Sequence, residues 1–345
     1  MANAFRIGVL GMTHDHLWGE LPDLAGAGAQ LVAAADPDDR LLERARNEHG
    51  CPTYRDPREL LDAHALDAVY VFSDNATSVA LAELALDRGL LVMIEKPMAS
   101  TLAGADRLLA AAARSGKVLM INWPFAWWPQ MQHALRLAGE GAIGRLWQVK
   151  YRAAHMGPRE HGCSEQFCRW LYDEALNGGG AYADYTGYGC VLARALLGRP
   201  AEVFGWRGRL VKTDIDVDDN GVVMMLYPDT MAVSEGSWTQ VDDMTSYRPH
   251  LYGADGTLLF EPYRGGRMWL ATKERPQGDA LTPPEPPPHL QNATAHFLHA
   301  IATGSKLFSL CDPAICRDAQ EIMEAGLRSS RSGARIPLPL DPTGG

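Results

Sequence analysis

The chain has 345 residues, 46% hydrophobic and 21% charged, with nine Trp, six Cys and a net charge of −10. At about 150 residues per domain there is room for two domains with real cores, which excludes a disordered tail or a small disulfide-stapled module. The acidic balance without any Lys/Arg run argues against nucleic acid, and no apolar run approaches the ~20 residues of a membrane helix. Met1 to Arg6 lacks a charged-then-apolar leader pattern, so the expected location is the cytoplasm. Cys51, Cys163, Cys168, Cys190, Cys311 and Cys316 form no CxxC, so reduced thiols are expected rather than a zinc site or disulfide.

In chain order, short apolar runs at Arg6–Leu10, Leu31–Ala35, Ala68–Phe72, Leu91–Ile94 and Val118–Ile121 read as buried strands. Helix-period segments at Asp39–His49, Ser78–Arg88 and Leu102–Ser115 lie between them. Strands alternating with helices predict βαβ units and a parallel sheet, whose strands are continuously apolar. The pattern changes near Trp123. A helix at about Gln130–Ala138 leads to the run Arg145–Ala153, then to an irregular stretch from His155 to Asn177. Gly178–Gly180 precedes a helix to about Leu197. Strand-like runs follow at Glu202–Leu210, Gly221–Tyr227, Met231–Trp238, His250–Tyr252, Thr257–Glu261 and Met268–Thr272, predicting a large, mostly antiparallel open sheet. Pro276–Pro288 reads as a loop, and helices at Asn292–Thr303 and Pro313–Ser330 close the chain.

The first strand runs into Gly11-Met12-Thr13-His14-Asp15-His16. A dinucleotide fingerprint needs G-x-G-x-x-G here so that backbone can approach a pyrophosphate at a helix start. Only Gly11 is present; Thr13 and His16 stand at the other two positions. Asp36 ends the second strand, where a carboxylate accepts the ribose hydroxyls and repels a 2′-phosphate. The next Arg is Arg40, so NAD is favoured over NADP. His14 and His16 resemble part of a metal cluster, but no HExxH or Cys partner follows, so no metal is expected; one imidazole faces ligand and the other packs.

Lys96 follows the Leu91–Ile94 strand in Glu95-Lys96-Pro97, at the carboxyl end where ligands of such sheets bind. With 26 Arg against six Lys, a retained Lys points to a need for a compact ammonium. Asp184 and Tyr188 are four apart and share a helix face, with Gly187 and Gly189 keeping the adjoining surface small. A carboxylate and a phenol together can hold and deprotonate a hydroxyl when a cation stands nearby.

Taken in order, these features resemble the glucose-fructose oxidoreductase / inositol dehydrogenase / rhizopine-catabolism (Gfo/Idh/MocA) superfamily over about residues 5 to 338. Ser73-Asp74-Asn75 stands at the family's Thr-Pro-Asn, and Thr213–Asn220 and Ser237-Trp238 fit its C-terminal sheet. The resemblance implies a Rossmann-type α/β domain over residues 1–123 and an α+β substrate and oligomerisation domain over 124–345. It implies Lys96, Asp184 and Tyr188 as the catalytic group, with Tyr188 where most members have His. It implies cofactor contacts from Gly11, Met12, Thr13, His14, Asp36, Ser73, Asp74, Asn75, Glu95 and Lys96, and often a cis bond at the Lys-Pro step. The family's Arg-Phe after strand six is replaced by Trp123-Pro124-Phe125-Ala126-Trp127-Trp128.

The implied activity is NAD-dependent oxidation of a secondary hydroxyl of a sugar, sugar derivative or cyclitol by a homodimer or homotetramer. Trp123, His155, His161 and Trp170 are candidate substrate contacts, because sugars are bound by aromatic faces and polar groups. Two alternatives stay open: redox-neutral glycoside cleavage by oxidation and elimination, with His155 or His161 as second base, and a non-catalytic sensor.

Overall fold

The computed structural model describes residues 4–241 and 243–341. Residues 1–3, 242 and 342–345, the last of which end the span expected for the substrate domain, lie outside the described residues.

The buried runs of the first third form a parallel sheet from β1 (Phe5–Leu10), β2 (Ala29–Ala35), β3 (Thr53–Tyr54), β4 (Ala68–Val71), β5 (Leu91–Glu95) and β6 (Leu119–Asn122). Its order is β3-β2-β1-β4-β5-β6, so the direction of winding reverses between β1 and β4, and a crevice opens at their carboxyl ends. Val9, Leu10, Val69, Val71, Val92 and Ile94 are fully buried, as strands covered on both faces require. The helix Leu102–Ser115 is capped by Thr101, whose side chain accepts from Gly104 N, and is ended by Gly116 at φ 63°.

The second sheet comprises β7 (Leu146–Ala154), β8 (Glu202–Gly208), β9 (Asn220–Leu226), β10 (Met231–Ser237), β11 (His250–Gly253), β12 (Gly256–Phe260), β13 (Met268–Thr272), β14 (Asp279–Leu281) and β15 (Ile336–Pro337). The order is β14-β13-β12-β11-β7-β10-β9-β8-β15, with one parallel pair, β7 with β10, among antiparallel neighbours. Burial alternates strictly along β9, so one face is covered and the other open. The helix Ala181–Leu197 lies on the covered face, and Gly189 lets it approach Ser234 of β10 closely.

Three local expectations are corrected. The Pro-rich stretch carries the edge strand β14, paired with β13 through Leu281, Ala280 and Asp279. The stretch after His155 contains the helices Glu165–Leu171 and Glu174–Asn177, capped by Ser164 and Asp173. The helix Pro57–Ala63, with Pro at its first turn and Asp56 as cap, falls between β3 and β4. The cysteines form no disulfide among the described residues, and no helix there is long and apolar enough to cross a membrane.

Candidate active site

The crevice of the parallel sheet holds a cleft of about 530 Å³ lined by Gly11, Thr13, Asp36, Ser73, Asp74 and Arg58, among others. Gly11 has φ +78°, and a Cβ there would stand 2.6 Å from Ser73 Cβ, so only glycine lets the backbone turn beneath a ligand. Asp36 is buried; its Oδ2 accepts from Met12 N at 2.6 Å and its Oδ1 from Asp38 N at 2.8 Å. Each oxygen keeps a second lone pair for a hydroxyl donor. Burial pushes the Asp36 carboxyl upward, and neighbouring N–H groups oppose that shift. The buried hydroxyl of Thr13 has no protein partner. A turn cradle, an acceptor at the end of β2 and an unpaired donor fit the adenosine and phosphate portions of a dinucleotide.

Asp74 lines the cleft with its Oδ1 accepting from Ala76 N and Thr77 N at the start of the next helix. Asn75 points away from the cleft. Its Nδ2 donates to Asn177 O and Oδ1, and Asn177 in turn holds Gly179 O. This pair ties the end of β4 to the glycine triplet before the helix Ala181–Leu197. Asp218 fixes the same triplet from the other side, accepting from Gly180 N at 3.0 Å and Tyr182 N at 2.7 Å. A Cβ on Gly180 would lie 1.9 Å from Asp218 O. Asn177 was not singled out from the sequence and Asp218 was read only as part of the Thr213–Asn220 run, because their role depends on contacts 102 and 36–38 residues away.

A second pocket of about 220 Å³ brings together Lys96, Asp184, Tyr188, His155, His161 and His16. Lys96 leaves the end of β5 through a cis Lys96–Pro97 bond. Its Nζ donates to Asp184 Oδ1 at 2.7 Å, and both side chains are buried. The other oxygen, Oδ2, accepts from Trp238 Nε1 at 3.3 Å. Burial opposes the Lys96 ammonium, but the Asp184 charge and hydrogen bond outweigh it and hold its pKa above the usual lysine range. The Tyr188 ring lies 5.3 Å from Nζ and is stacked on Tyr151 at 5.8 Å. Burial, then the Asp184 charge, push its phenol well above the ordinary tyrosine range, so it is protonated at neutral pH.

His155 and His161 stack at 4.7 Å on the opposite wall. Gly157 N donates to His155 Nδ1 at 2.8 Å, which assigns the proton of the neutral ring to Nε2. Burial pushes its pKa down to about 4. His16 lines the pocket, with Nδ1 2.9 Å from Glu95 Oε1. His14 packs instead, with its ring 4.4 Å from Phe167 and 5.6 Å from Trp170, and burial keeps it neutral. Glu95, which the local spacing could not connect to the histidines, lies with them so that one ligating atom of each is within 4.8 Å of the others.

Two candidate substrate contacts do not reach the pocket. Trp123 is buried behind it, edge-on to Tyr188 at 5.0 Å, with Nε1 donating to Cys316 Sγ. Trp170 is buried under the first loop, donating to Thr13 O. Their place in the lining is taken by Trp128, Tyr185, Tyr247 and Tyr263. Tyr247 and Tyr263 belong to loops of the second sheet that carry no motif.

Two family models match the chain: "Oxidoreductase family, NAD-binding Rossmann fold" over residues 5–123 and "GFO/IDH/MocA C-terminal domain" over residues 131–259. A dTDP-3,4-didehydro-2,6-dideoxy-alpha-D-glucose 3-reductase of Streptomyces violaceoruber is 30% identical over 80% of this chain and 79% of its own length. D-apiose dehydrogenase of Paraburkholderia graminis is 35% identical over 43% of this chain; the chain spans only 39% of that relative. The crystal structure of aldose-aldose oxidoreductase from Caulobacter crescentus, complexed with glycerol, shares the fold at TM-score 0.83 and 23% identity, covering 97% of this chain and all of its own.

Proposed function

Since the chain belongs to the Gfo/Idh/MocA oxidoreductase family, we propose that it is an NAD-dependent oxidoreductase acting on a secondary hydroxyl of a sugar, sugar derivative or cyclitol. The observation that carries this reading is the buried Lys96–Asp184 pair, which shares one pocket with Tyr188 at the carboxyl edge of the parallel sheet. Bound NAD supplies the hydride acceptor. The chain's own residues manage the proton. Lys96 donates to the reacting oxygen and stabilises the negative charge that grows as O–H breaks. Asp184 fixes the direction of that ammonium through Oδ1 while Trp238 anchors Oδ2. Tyr188 exchanges the hydroxyl proton; it is held protonated for the reducing direction, and in the oxidising direction the Lys96 ammonium, 5.3 Å from its ring centroid, is the charge that would stabilise its phenolate. His155 donates from Nε2 to a second hydroxyl. That tautomer and its lowered pKa fit a donor better than the second base that an elimination needs.

NAD is favoured over NADP by Asp36. Residues 1–123 then serve as the cofactor domain and residues 124–345 as the substrate domain of a cytoplasmic enzyme. Trp147, Phe204 and Trp206, exposed by 38–43% on β7 and β8, support assembly as a homodimer or homotetramer through the open sheet face. The experiment is a titration with NADH and NADPH followed by a panel of sugars and cyclitols with NAD⁺. Tyr188→Phe is expected to lower kcat by about 10²–10⁴-fold; full turnover by this variant sinks the proton assignment.

A further inference from the structure

The catalytic pocket opens into a larger chamber. The inner pocket measures about 220 Å³, below the roughly 300–1,000 Å³ of sites that enclose whole ligands. The outer chamber measures about 570 Å³, and the two share His155, His161, Tyr247 and Tyr263 as walls. Those two tyrosines stand at the junction with rings 6.4 Å apart. They are also the two non-glycine residues with positive φ among the described residues, Tyr247 at 53° and Tyr263 at 64°. Bulky side chains rarely adopt that backbone, and such strain concentrates where a site needs a ring held in one direction.

The chemistry of the outer walls is specific. Met156, Val241 and Tyr263 are large apolar side chains exposed by 44%, 83% and 60%, and all three line this chamber. The lining contains one guanidinium, Arg248, and its Nη1 is paired with Glu261 at 2.9 Å. Asp243 adds an acidic wall. Glu261 is shared between Arg248 and Arg267, and Arg248 keeps one buried N–H, Nε, without a partner, so the charges of this wall largely compensate one another, whereas an uncharged ring would meet its aromatic and aliphatic faces.

We propose that the substrate is a two-part sugar conjugate: the oxidised ring sits against Lys96 and Tyr188, and an uncharged, ring-bearing aglycone occupies the outer chamber between Tyr247, Tyr263, Met156 and Val241. This rests on the oxidoreductase reading above. It favours an uncharged aglycone over a nucleotide diphosphate, because the guanidinium of the lining, Arg248, is already paired with the Glu261 carboxylate.

The test compares matched sets with NAD⁺: free aldopentoses and aldohexoses, their p-nitrophenyl glycosides of both anomers, and the UDP and dTDP sugars. The expected result is a p-nitrophenyl glycoside with kcat/KM at least about tenfold above its free sugar. Val241→Asp with Met156→Asp, at exposed positions that fold does not depend on, is expected to cut that ratio by about tenfold. A panel in which no aryl glycoside exceeds its free sugar, or in which a nucleotide sugar is preferred, overturns the inference, as does a ratio the double variant leaves intact. NADH binding, followed by Trp fluorescence in the same preparation, separates the two levels: a protein that binds NADH but prefers free sugars overturns only the aglycone site, and one that binds neither NADH nor NADPH overturns both.

Discussion

Lys96 and Asp184 lie 88 residues apart in the chain and 2.7 Å apart in the fold, as a buried ion pair that joins the end of β5 to the helix Ala181–Leu197. Taking two charges out of water costs more than a surface pair returns, so such a contact is weak ground for stability and better ground for function. Removing one partner strands the other. Lys96→Met is expected to destabilise the protein by roughly 3–5 kcal/mol in urea unfolding and to abolish NAD⁺-dependent turnover. Lys96→Met combined with Asp184→Leu is expected to regain most of the stability and none of the activity. Equal stability losses for the single and double variants would contradict a stranded charge.

The parallel sheet was legible because its strands are buried on both faces and read as unbroken apolar runs. Lys96, Asp184 and Tyr188 were legible because each sits at a fixed offset from a local signal, a strand end or a glycine triplet. The roles of Asn177, Asp218 and Trp238 were not, since Asn177 and Asp218 act through long-range hydrogen bonds with no local pattern, and Trp238, read only as part of the second sheet, reaches Asp184 across 54 residues. Trp123 and Trp170 failed as substrate contacts for a related reason. Aromatic residues beside a pocket in sequence are as readily consumed by the core, and a buried indole N–H takes whatever acceptor is there, here Cys316 Sγ and Thr13 O. Arg55 and Arg58 line the cleft that holds Asp36 because the helix Pro57–Ala63, missed in the sequence, carries that segment to the end of β2.

A pH effect on stability follows from Glu20. Burial and then the Glu95 charge raise its carboxyl to about 8, from an ordinary 4.5, against a hydrogen bond from Asn122. The folded state therefore holds a proton that the unfolded chain releases above pH 4.5. The contribution is fully present below that pH and is lost as pH climbs towards 8, by at most about 1.4 kcal/mol per unit. Glu20→Gln keeps the neutral form and is expected to flatten this dependence. Its melting temperature should match the parent at pH 5 and exceed it at pH 8. A parallel decline of both proteins between those values would remove Glu20 as the cause.

The His14, His16 and Glu95 group yields a prediction about metal. One ligand atom of each lies within 4.8 Å of the others, but the donors are already committed to one another and to neighbours. His16 is already paired with Glu95, and Glu95 also accepts from Asn122 at 2.7 Å. Burial, then the His16 and Lys96 charges, disfavour a positive charge at His14. Exhaustive EDTA treatment is expected to leave NADH affinity and turnover within twofold of the untreated enzyme. Loss of turnover restored by a divalent ion would establish the metal site instead.

Cofactor choice turns on the residues around Asp36. Its carboxylate faces the cleft that Arg55 and Arg58 also line, so opposite signals for a 2′-phosphate stand within one site. Arg55 is paired with Asp39 and also donates to Pro37 O, and Arg40 is held by Asp38, so these guanidiniums are partly engaged. The buried carboxylate at the strand end is held by two backbone N–H groups, and on the reading proposed above it is the group that favours NADH. Asp36→Ser removes the repulsion, keeps a hydroxyl for the Met12 N–H and leaves Arg55 and Arg58 facing the ribose. Its ratio of NADPH to NADH affinity is expected to rise by at least about tenfold, a change of ~1.4 kcal/mol, with a steeper salt dependence for NADPH because the new contacts are between opposite charges at the protein surface. Fluorescence titration of both proteins with both cofactors at two ionic strengths measures this, and an unchanged ratio would move the selection from Asp36 to the arginines across the cleft.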